Sequence, residues 1–275
     1  MIFNAVIDVI LILALAGLSA WAGYKISRST SKAWLIWFGL SFVFVIAVML
    51  LHRIPTLAYH PVFQWVTQGA NEVIVMAICG PLCFAILVPR LRFRRQKIIV
   101  GFFAALTIIY YIVPPFVDPA ILYAQMEDSD TWVEDGVCLQ TTGYTCGAAS
   151  AVTALKQLGI DANEMEMAIA SGTSRTFGAT EYKLAWAIET LYGNQGIHCD
   201  VKTFEQLTDL KDCCPVIVEV KYRPMVDHYI TVLEIGDTTV LVGDPLKGKE
   251  RLTYTEFLDK WRKAGIIVSK KVKES

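Results

Sequence analysis

Four apolar runs, residues 6–24, 33–51, 73–88 and 98–117, fill most of the first 119 positions of this 275-residue chain. Each is close to the roughly 20 helical residues needed to cross a hydrocarbon core about 30 Å thick, so four transmembrane helices are expected. The third run is short and holds Gly80-Pro81, which predicts a kink, and the fourth meets Pro114-Pro115, where it ends or bends. Residues 1–119 carry nine Lys or Arg against three acids, and residues 120–275 carry 16 against 23. The chain therefore joins a cationic, apolar part to an acidic part of ordinary soluble composition, and the first part accounts for the mean hydropathy of +0.45. No basic tail suggests nucleic acid.

The first run is not a signal peptide by its start, because residues 1–9 contain Asp8 and no Lys or Arg, and a signal peptide opens on positive charge. Lys25, Arg28 and Lys32 lie between the first two runs, and Arg90, Arg92, Arg94, Arg95 and Lys97 between the last two, while the loop between the second and third holds only Arg53. Basic loops stay in the cytoplasm, so both chain ends and the acidic half are expected outside. Asp8 and Glu72 fall at outer helix ends, where a carboxylate reaches interfacial water, and His52 and His60 belong to an aromatic-rich outer loop. Cys79 and Cys83 share a helical face, but with no acid or histidine beside them they read as packing residues rather than metal ligands. Almost no charge lies inside the apolar runs, so no ion or proton pathway is expected.

Beyond residue 120 the pattern changes to short alternating elements. Residues 122–135 read as an acidic linker. Helical spacing marks 146–158, stopped by Gly159, then 163–170, and a third helix that starts after Thr180 and ends at Gly193. The period then drops to two, which predicts strands at 198–203, 215–222, 228–235 and 239–242, followed by a helix at 253–263 and a last strand at 266–268. Helices first and antiparallel strands after them indicate an α+β domain over 120–275, with the four-helix transmembrane region over 1–119.

The candidate chemistry centres on Cys146, which follows the polar loop Gln140-Thr141-Thr142-Gly143-Tyr144-Thr145 and opens a helix. Unpaired N–H groups and the macrodipole at a helix start favour an anion there, which makes the thiol a candidate nucleophile. A nucleophile needs a base. His228 opens the strongly apolar strand Tyr229-Ile230-Thr231-Val232-Leu233, an unusual place for a titratable group unless the strand aims it at something. His198, with Asp200 on the same face of an edge-like strand, reads as a solvated histidine. A three-residue turn at 235–237 pairs Glu234 with Thr238 and sets His228 opposite Asp244, whose carboxylate would hold one ring nitrogen and turn the other to the thiol. A strict two-residue turn would put Asp244 on the other face, so this reading requires a three-residue turn or a bulge. Gln140, six residues before the thiol, supplies an amide that can donate to an oxyanion beside the Cys146 N–H.

These residues, in the order Gln, Cys-Gly, His-Tyr, Asp-Pro, resemble the bacterial double-glycine leader peptidases, papain-like cysteine peptidases often fused to peptide-exporting ABC transporters (family 39 of the cysteine peptidases). The resemblance covers 136–263 and rests on Gln140 through Ala149, the helix end from Leu155 to Gly159, the Gly178 loop, His228-Tyr229 with Val232, Asp244-Pro245 followed by Gly248, and Phe257 and Trp261 in the last helix. It implies a papain-like fold, with Cys146 as nucleophile, His228 as general base and acid, Asp244 as its orienter and Gln140 in the oxyanion hole. It also implies peptide or leader-peptide substrates cut after small residues such as Gly-Gly. No metal or other cofactor is called for.

The chain departs from that family where Ala148 replaces a common proline, and where four helices precede the domain and no nucleotide-binding domain follows. Residues 243–250 nearly spell a phosphate loop, but they end in Glu250 with no helix directly after, so no nucleotide is expected. The expectation is a peptidase tethered to the lipid bilayer of a bacterial cytoplasmic membrane, facing outward. In that oxidising compartment Cys138, Cys199, Cys213 and Cys214 are candidates for structural disulfides, the alternative being ordinary buried thiols. Two other functions use the same residues: acyl transfer to an amine or thiol, and leader-peptide binding without cleavage.

Overall fold

The computed structural model describes residues 2–51, 71–109, 113–127, 130–175, 178–223 and 226–271. The expectations for His52, Arg53 and His60 lie outside the described residues, as do the side chains of Asp8 and Glu72. The chain divides into two compact units, Met1–Val117 and Asp118–Ser275.

The first unit is helical. Helices α1 (Ile2–Ser27), α2 (Ala33–Leu51) and α3 (Asn71–Leu87) are followed by a 3₁₀ turn (Val88–Arg90) and α4 (Arg94–Thr107). Two stretches, Val9–Ser27 and Val73–Arg90, are long and apolar enough to cross a membrane, and Ala33–Val48 is a shorter apolar helix. Helices α1 and α3 meet through small residues. Ile12 and Ala16 pack on Val73 and Ala77, and a Cβ added to Gly23 would lie 2.8 Å from the Leu82 carbonyl oxygen. Helix α3 continues through Pro81 rather than breaking. The fourth apolar run is not one regular helix in the described residues: α4 ends at Thr107, and α5 (Pro114–Met126) starts afresh on a proline, which suits a first helical turn because its missing N–H would have no partner there.

The second unit begins inside α5. Leu122 and Met126, expected in a linker, are fully buried in its main core. A short hairpin follows, β1 (Val133–Glu134) and β2 (Val137–Cys138), turned by Asp135 and Gly136 with φ of 49° and 81°. Then come α6 (Cys146–Gln157), α7 (Glu164–Ala170) and α8 (Glu181–Tyr192). The strands are β3 (Ile197–Thr203), β4 (Val216–Arg223), β5 (Val226–Ile235), β6 (Thr239–Asp244), β7 (Gly248–Thr253) and, after α9 (Tyr254–Lys260), β8 (Trp261–Lys270). They form one antiparallel sheet in the order β3-β8-β4-β5-β6-β7.

Each sheet face has its own core. On one, Ile217, Tyr229, Ile266 and Val268 pack with α6, α8 and the buried end of α5. On the other, Val216, Val218, Val220, Ile230, Val232, Val240 and Val242 pack with Phe257 and Trp261. The alternation read from sequence is the alternation between these two cores.

Two strand expectations need correction. The segment 261–263 is not helical: Trp261 opens β8, its ring against Phe204 and Phe257, and β8 runs ten residues because it pairs with β3 on one side and β4 on the other. Strand β7 carries no strand signal in its sequence, because Gly-Lys-Glu-Arg-Leu-Thr is polar. It lies at the sheet edge, where charge is what a strand needs to resist pairing with another chain.

Candidate active site

Helix α6 carries Cys146 as its first residue, with Thr145 as N-cap. The helix sits close to the sheet because its buried face is built of Gly147, Ala148, Ala151 and Ala154. A Cβ at Gly147 would lie 3.3 Å from the Tyr229 ring. The Thr231 hydroxyl donates to the Ser150 carbonyl at 2.8 Å, which fixes α6 along β5. This register brings the start of α6 to the start of β5, and the Cys146 side chain is hydrogen-bonded to His228.

The His228 ring and the Asp244 carboxylate are both buried, and Nε2 lies 2.8 Å from Oδ1. With Nε2 engaged, Nδ1 is the nitrogen left for the thiol. Asp244 Oδ1 also accepts the Leu246 N–H at 2.9 Å, and Lys247 Nζ lies 3.7 Å from Oδ2. The exposed Tyr222 ring covers His228, with centroids 5.5 Å apart. A cavity of about 230 Å³ opens beside the pair, between Lys221, Lys247, Lys260 and Phe257.

Electrostatics follow from these contacts. Burial works against a charged His228, but hydrogen bonds to Asp244 and Cys146 and the charges of both hold the proton, and the pKa rises to about 9. Burial also opposes a charged Asp244. The bonds from His228 and the Leu246 N–H, with the charges of His228 and Lys247, nevertheless hold its carboxyl below the usual range.

The expected register is not the observed one. Beyond the last pair, Ile235↔Val240, the connection is four residues long, and a bulge at Leu233 separates Glu234↔Leu241 from Val232↔Val242. Continuing the register of Thr231↔Gly243 places Asp244 across from Ile230, two residues from His228 on the same face, so the two meet diagonally rather than directly. Without the bulge, the pairing nearer the turn would set Asp244 against Thr231, on the opposite face. A single extra residue thus keeps the histidine and the carboxylate on one side.

Gln140 lies on the loop before α6. Its N–H donates to the Pro245 carbonyl at 3.0 Å, its Nε2 donates to the Thr142 carbonyl at 2.6 Å, and its Oε1 is buried without a partner among the described residues. One amide hydrogen is therefore committed within the loop, and one remains free to donate. His198, on edge strand β3, instead holds Glu189 at 2.6 Å.

All seven cysteines are free. The four disulfide candidates lie against separate cores: Cys138 with Ala149 and Val152, Cys199 beside the helix-covered face, and Cys213 and Cys214 beside the other. Burial pushes the thiols of Cys138 and Cys199 up to about 12 and that of Cys214 up to about 11. Sequence reasoning missed Glu164, fully buried and bonded to Thr141 three times, because a Glu after the capping residue Asn163 looks like ordinary helix-start chemistry.

A thiol at a helix start, a buried imidazole bonded to it, and a carboxylate behind the imidazole define the papain-like class of thiol hydrolase site. The family model described as Peptidase C39 family matches residues 135–273, and the chain belongs to that family of cysteine peptidases. An uncharacterised protein of Methanothermobacter marburgensis is 31% identical over 131 residues, 47% of this chain and 86% of its own. Another, of Methanothermobacter thermautotrophicus, is 30% identical over 116 residues, 42% of this chain and 75% of its own. Among solved structures, a double glycine motif protease from an AMS/PCAT transporter in complex with the leader peptide is similar at 20% identity, covering 52% of this chain and 96% of that one, with a TM-score of 0.43. The peptidase domain of Streptococcus ComA, a bi-functional ABC transporter, is similar at 20% identity over 48% of this chain and 96% of that one, also at 0.43.

Proposed function

We propose that this chain is a membrane-tethered cysteine peptidase that cuts peptides after small residues such as Gly-Gly. The observation that carries the reading is the buried His228, bonded at once to Asp244 and to the thiol that opens α6. Cys146 attacks the scissile carbonyl as thiolate while His228 holds the proton. The tetrahedral oxyanion takes hydrogen bonds from the Cys146 N–H and the free Gln140 amide hydrogen. His228 then gives its proton to the departing amine, leaving an acyl-thioester on Cys146. Water, deprotonated by His228, releases the acid. Asp244 keeps the ring oriented throughout and stabilises its charge.

Family membership supports a peptide substrate, and the resemblance in the Gln140-to-Ala149 segment supports the small-residue preference. The test is cleavage of a fluorogenic peptide amide with Gly-Gly before the dye, by the full chain in detergent, with products identified by mass. Wild-type protein releases the dye and Cys146→Ala does not; release by Cys146→Ala, or none by wild type, refutes the reading. A competing amine that captures the acyl group in preference to water would instead indicate acyl transfer.

We also infer that the first unit sits in a bilayer through its four apolar runs, with the peptidase domain outside the cytoplasm. Large apolar side chains such as Leu11, Leu18, Ile36, Val43 and Phe44 are about half exposed or more on its helices, far beyond what a water-facing surface carries. Toward the basic loops, Lys25 lies over Trp21, Arg28 over Tyr24 and Arg90 over Trp34, the mixture of cations and aromatic rings found at membrane interfaces. A reporter active only outside the membrane, fused after Ser275, should be active; silence reverses the orientation.

A further inference from the structure

Glu164 opens α7 and has no exposed surface. A buried carboxylate is costly unless donors meet it. Here Thr141 supplies three bonds. Its N–H lies 3.0 Å from Oε1 and 3.2 Å from Oε2, and its hydroxyl lies 2.6 Å from Oε2. Glu164 is held in turn through its own N–H, which donates to the Thr131 hydroxyl at 3.1 Å. Thr141 is itself exposed, so no apolar packing fixes it in place.

The clamp falls between Gln140 and Thr142, and the Gln140 side chain is oriented by the Thr142 carbonyl. The same carbonyl receives the Thr145 hydroxyl at 3.2 Å, and the Thr142 N–H donates back to that hydroxyl oxygen at 3.2 Å, at the cap of α6. On the other side the Gln140 N–H is tied to Pro245, next to Asp244. The segment from Gln140 to Thr145 is thus pinned at both ends, and Glu164 is the pin in its middle.

We propose that Glu164 is a positioning residue for the oxyanion donor: by holding Thr141 it fixes the backbone that aims the Gln140 amide. The inference rests on the peptidase reading above. A group acting only through Gln140 lowers the rate of the step in which charge develops on oxygen, and leaves both the thiol–imidazole pair and substrate binding as they were. A merely structural group lowers all three together.

The experiment uses the full chain in detergent, the same Gly-Gly fluorogenic peptide, and iodoacetamide, whose attack by the thiol develops no oxyanion. Three variants are compared. Glu164→Ala removes both acceptors, Glu164→Gln keeps one, and Thr141→Val removes the hydroxyl while leaving the Thr141 N–H bonds to Glu164 in place. Loss of a single oxyanion donor costs about 10²- to 10³-fold in kcat, so kcat should fall about a hundredfold in Glu164→Ala, about tenfold in Glu164→Gln and about fivefold in Thr141→Val. KM and the Cys146 alkylation rate, followed by mass spectrometry, should stay within about twofold of wild type, because neither depends on the oxyanion donor. If Glu164→Gln and Thr141→Val keep wild-type kcat, or if alkylation falls in step with kcat, Glu164 is not a positioning residue. A wild type that alkylates rapidly at Cys146 but does not cleave shows instead that the peptidase reading has failed, and the inference falls with it.

Discussion

Replacing Asp244 by Asn keeps the shape of the side chain and removes the charge on which His228 depends. Burial alone disfavours a charged ring; hydrogen bonds and charges from Asp244 and Cys146 reverse that and lift the pKa from 6.5 to about 9. The difference corresponds to roughly 3 kcal/mol in favour of the protonated ring. Asp244 and Cys146 share that gain, so the Asn variant loses on the order of half of it, and the pKa falls by about one pH unit. The assay is the pH dependence of kcat/KM for peptide hydrolysis, whose alkaline limb reports the acid that the free enzyme needs, here the protonated His228 ring. Wild type should lose activity through pH about 9, and Asp244→Asn about one unit lower. An unmoved limb, or one displaced upward, would refute the argument that the Asp244 charge sustains the imidazolium. Stability has matching signs. The folded value of His228 lies above its unfolded value, so its contribution is complete below pH 6.5 and is lost as pH rises through about 9. The folded value of Asp244 lies below its unfolded one, so its contribution is present above about pH 3.8 and is lost on further acidification.

Deleting Leu233 makes Glu234 follow Val232, so the pairs on the two sides of the bulge join into one regular ladder with Asp244 still across from Ile230; peptide hydrolysis should therefore stay well above that of Asp244→Asn, and a loss as deep as in Asp244→Asn would contradict this register. Gly243→Ala places a Cβ 2.9 Å from one Val137 methyl and 3.1 Å from the Thr153 methyl. Both side chains are β-branched and stiff, so the cost should be about 1–3 kcal/mol in denaturant unfolding, partly recovered by Val137→Ala. Phe257→Ala empties a fully buried site beneath the valines of β4 to β6 and should cost about 3–5 kcal/mol in the same measurement.

Local signals were legible in the sequence wherever one residue decides the outcome. Gly159, with φ of 72°, ends α6, Asn163 caps α7 through its side chain, and the alternating valines of β4 to β6 match the two cores. The closeness of His228 and Asp244 could be anticipated because it needs only the right face, and parity is a property of the sequence once a turn or bulge is allowed. The position of the bulge could not. Nothing in Val232-Leu233-Glu234 marks it, and it reflects how β5 fits between β4 and β6. The linker expected from residue 122 begins as core for a related reason: residues 118–126 carry apolar spacing with one acid, and only the fold shows that Asp118 is buried against Arg175 while Leu122 and Met126 are buried in the main core of the second unit. Gln140 is legible by its amide, yet the residue that pins its loop, Glu164, lies 24 positions further on, and only the tertiary structure joins them.

The central claim is that Cys146, and no other thiol in the chain, is the nucleophile paired with His228. Limited iodoacetamide at neutral pH, with labelled peptides counted by mass spectrometry and residual hydrolysis measured on the same samples, tests it most directly. Cys138, Cys199 and Cys214, with thiols pushed up to between about 11 and 12 by burial, should stay unlabelled, and activity should fall in proportion to label on Cys146. Label spread evenly over the seven cysteines, or hydrolysis that survives full modification of Cys146, would contradict the account.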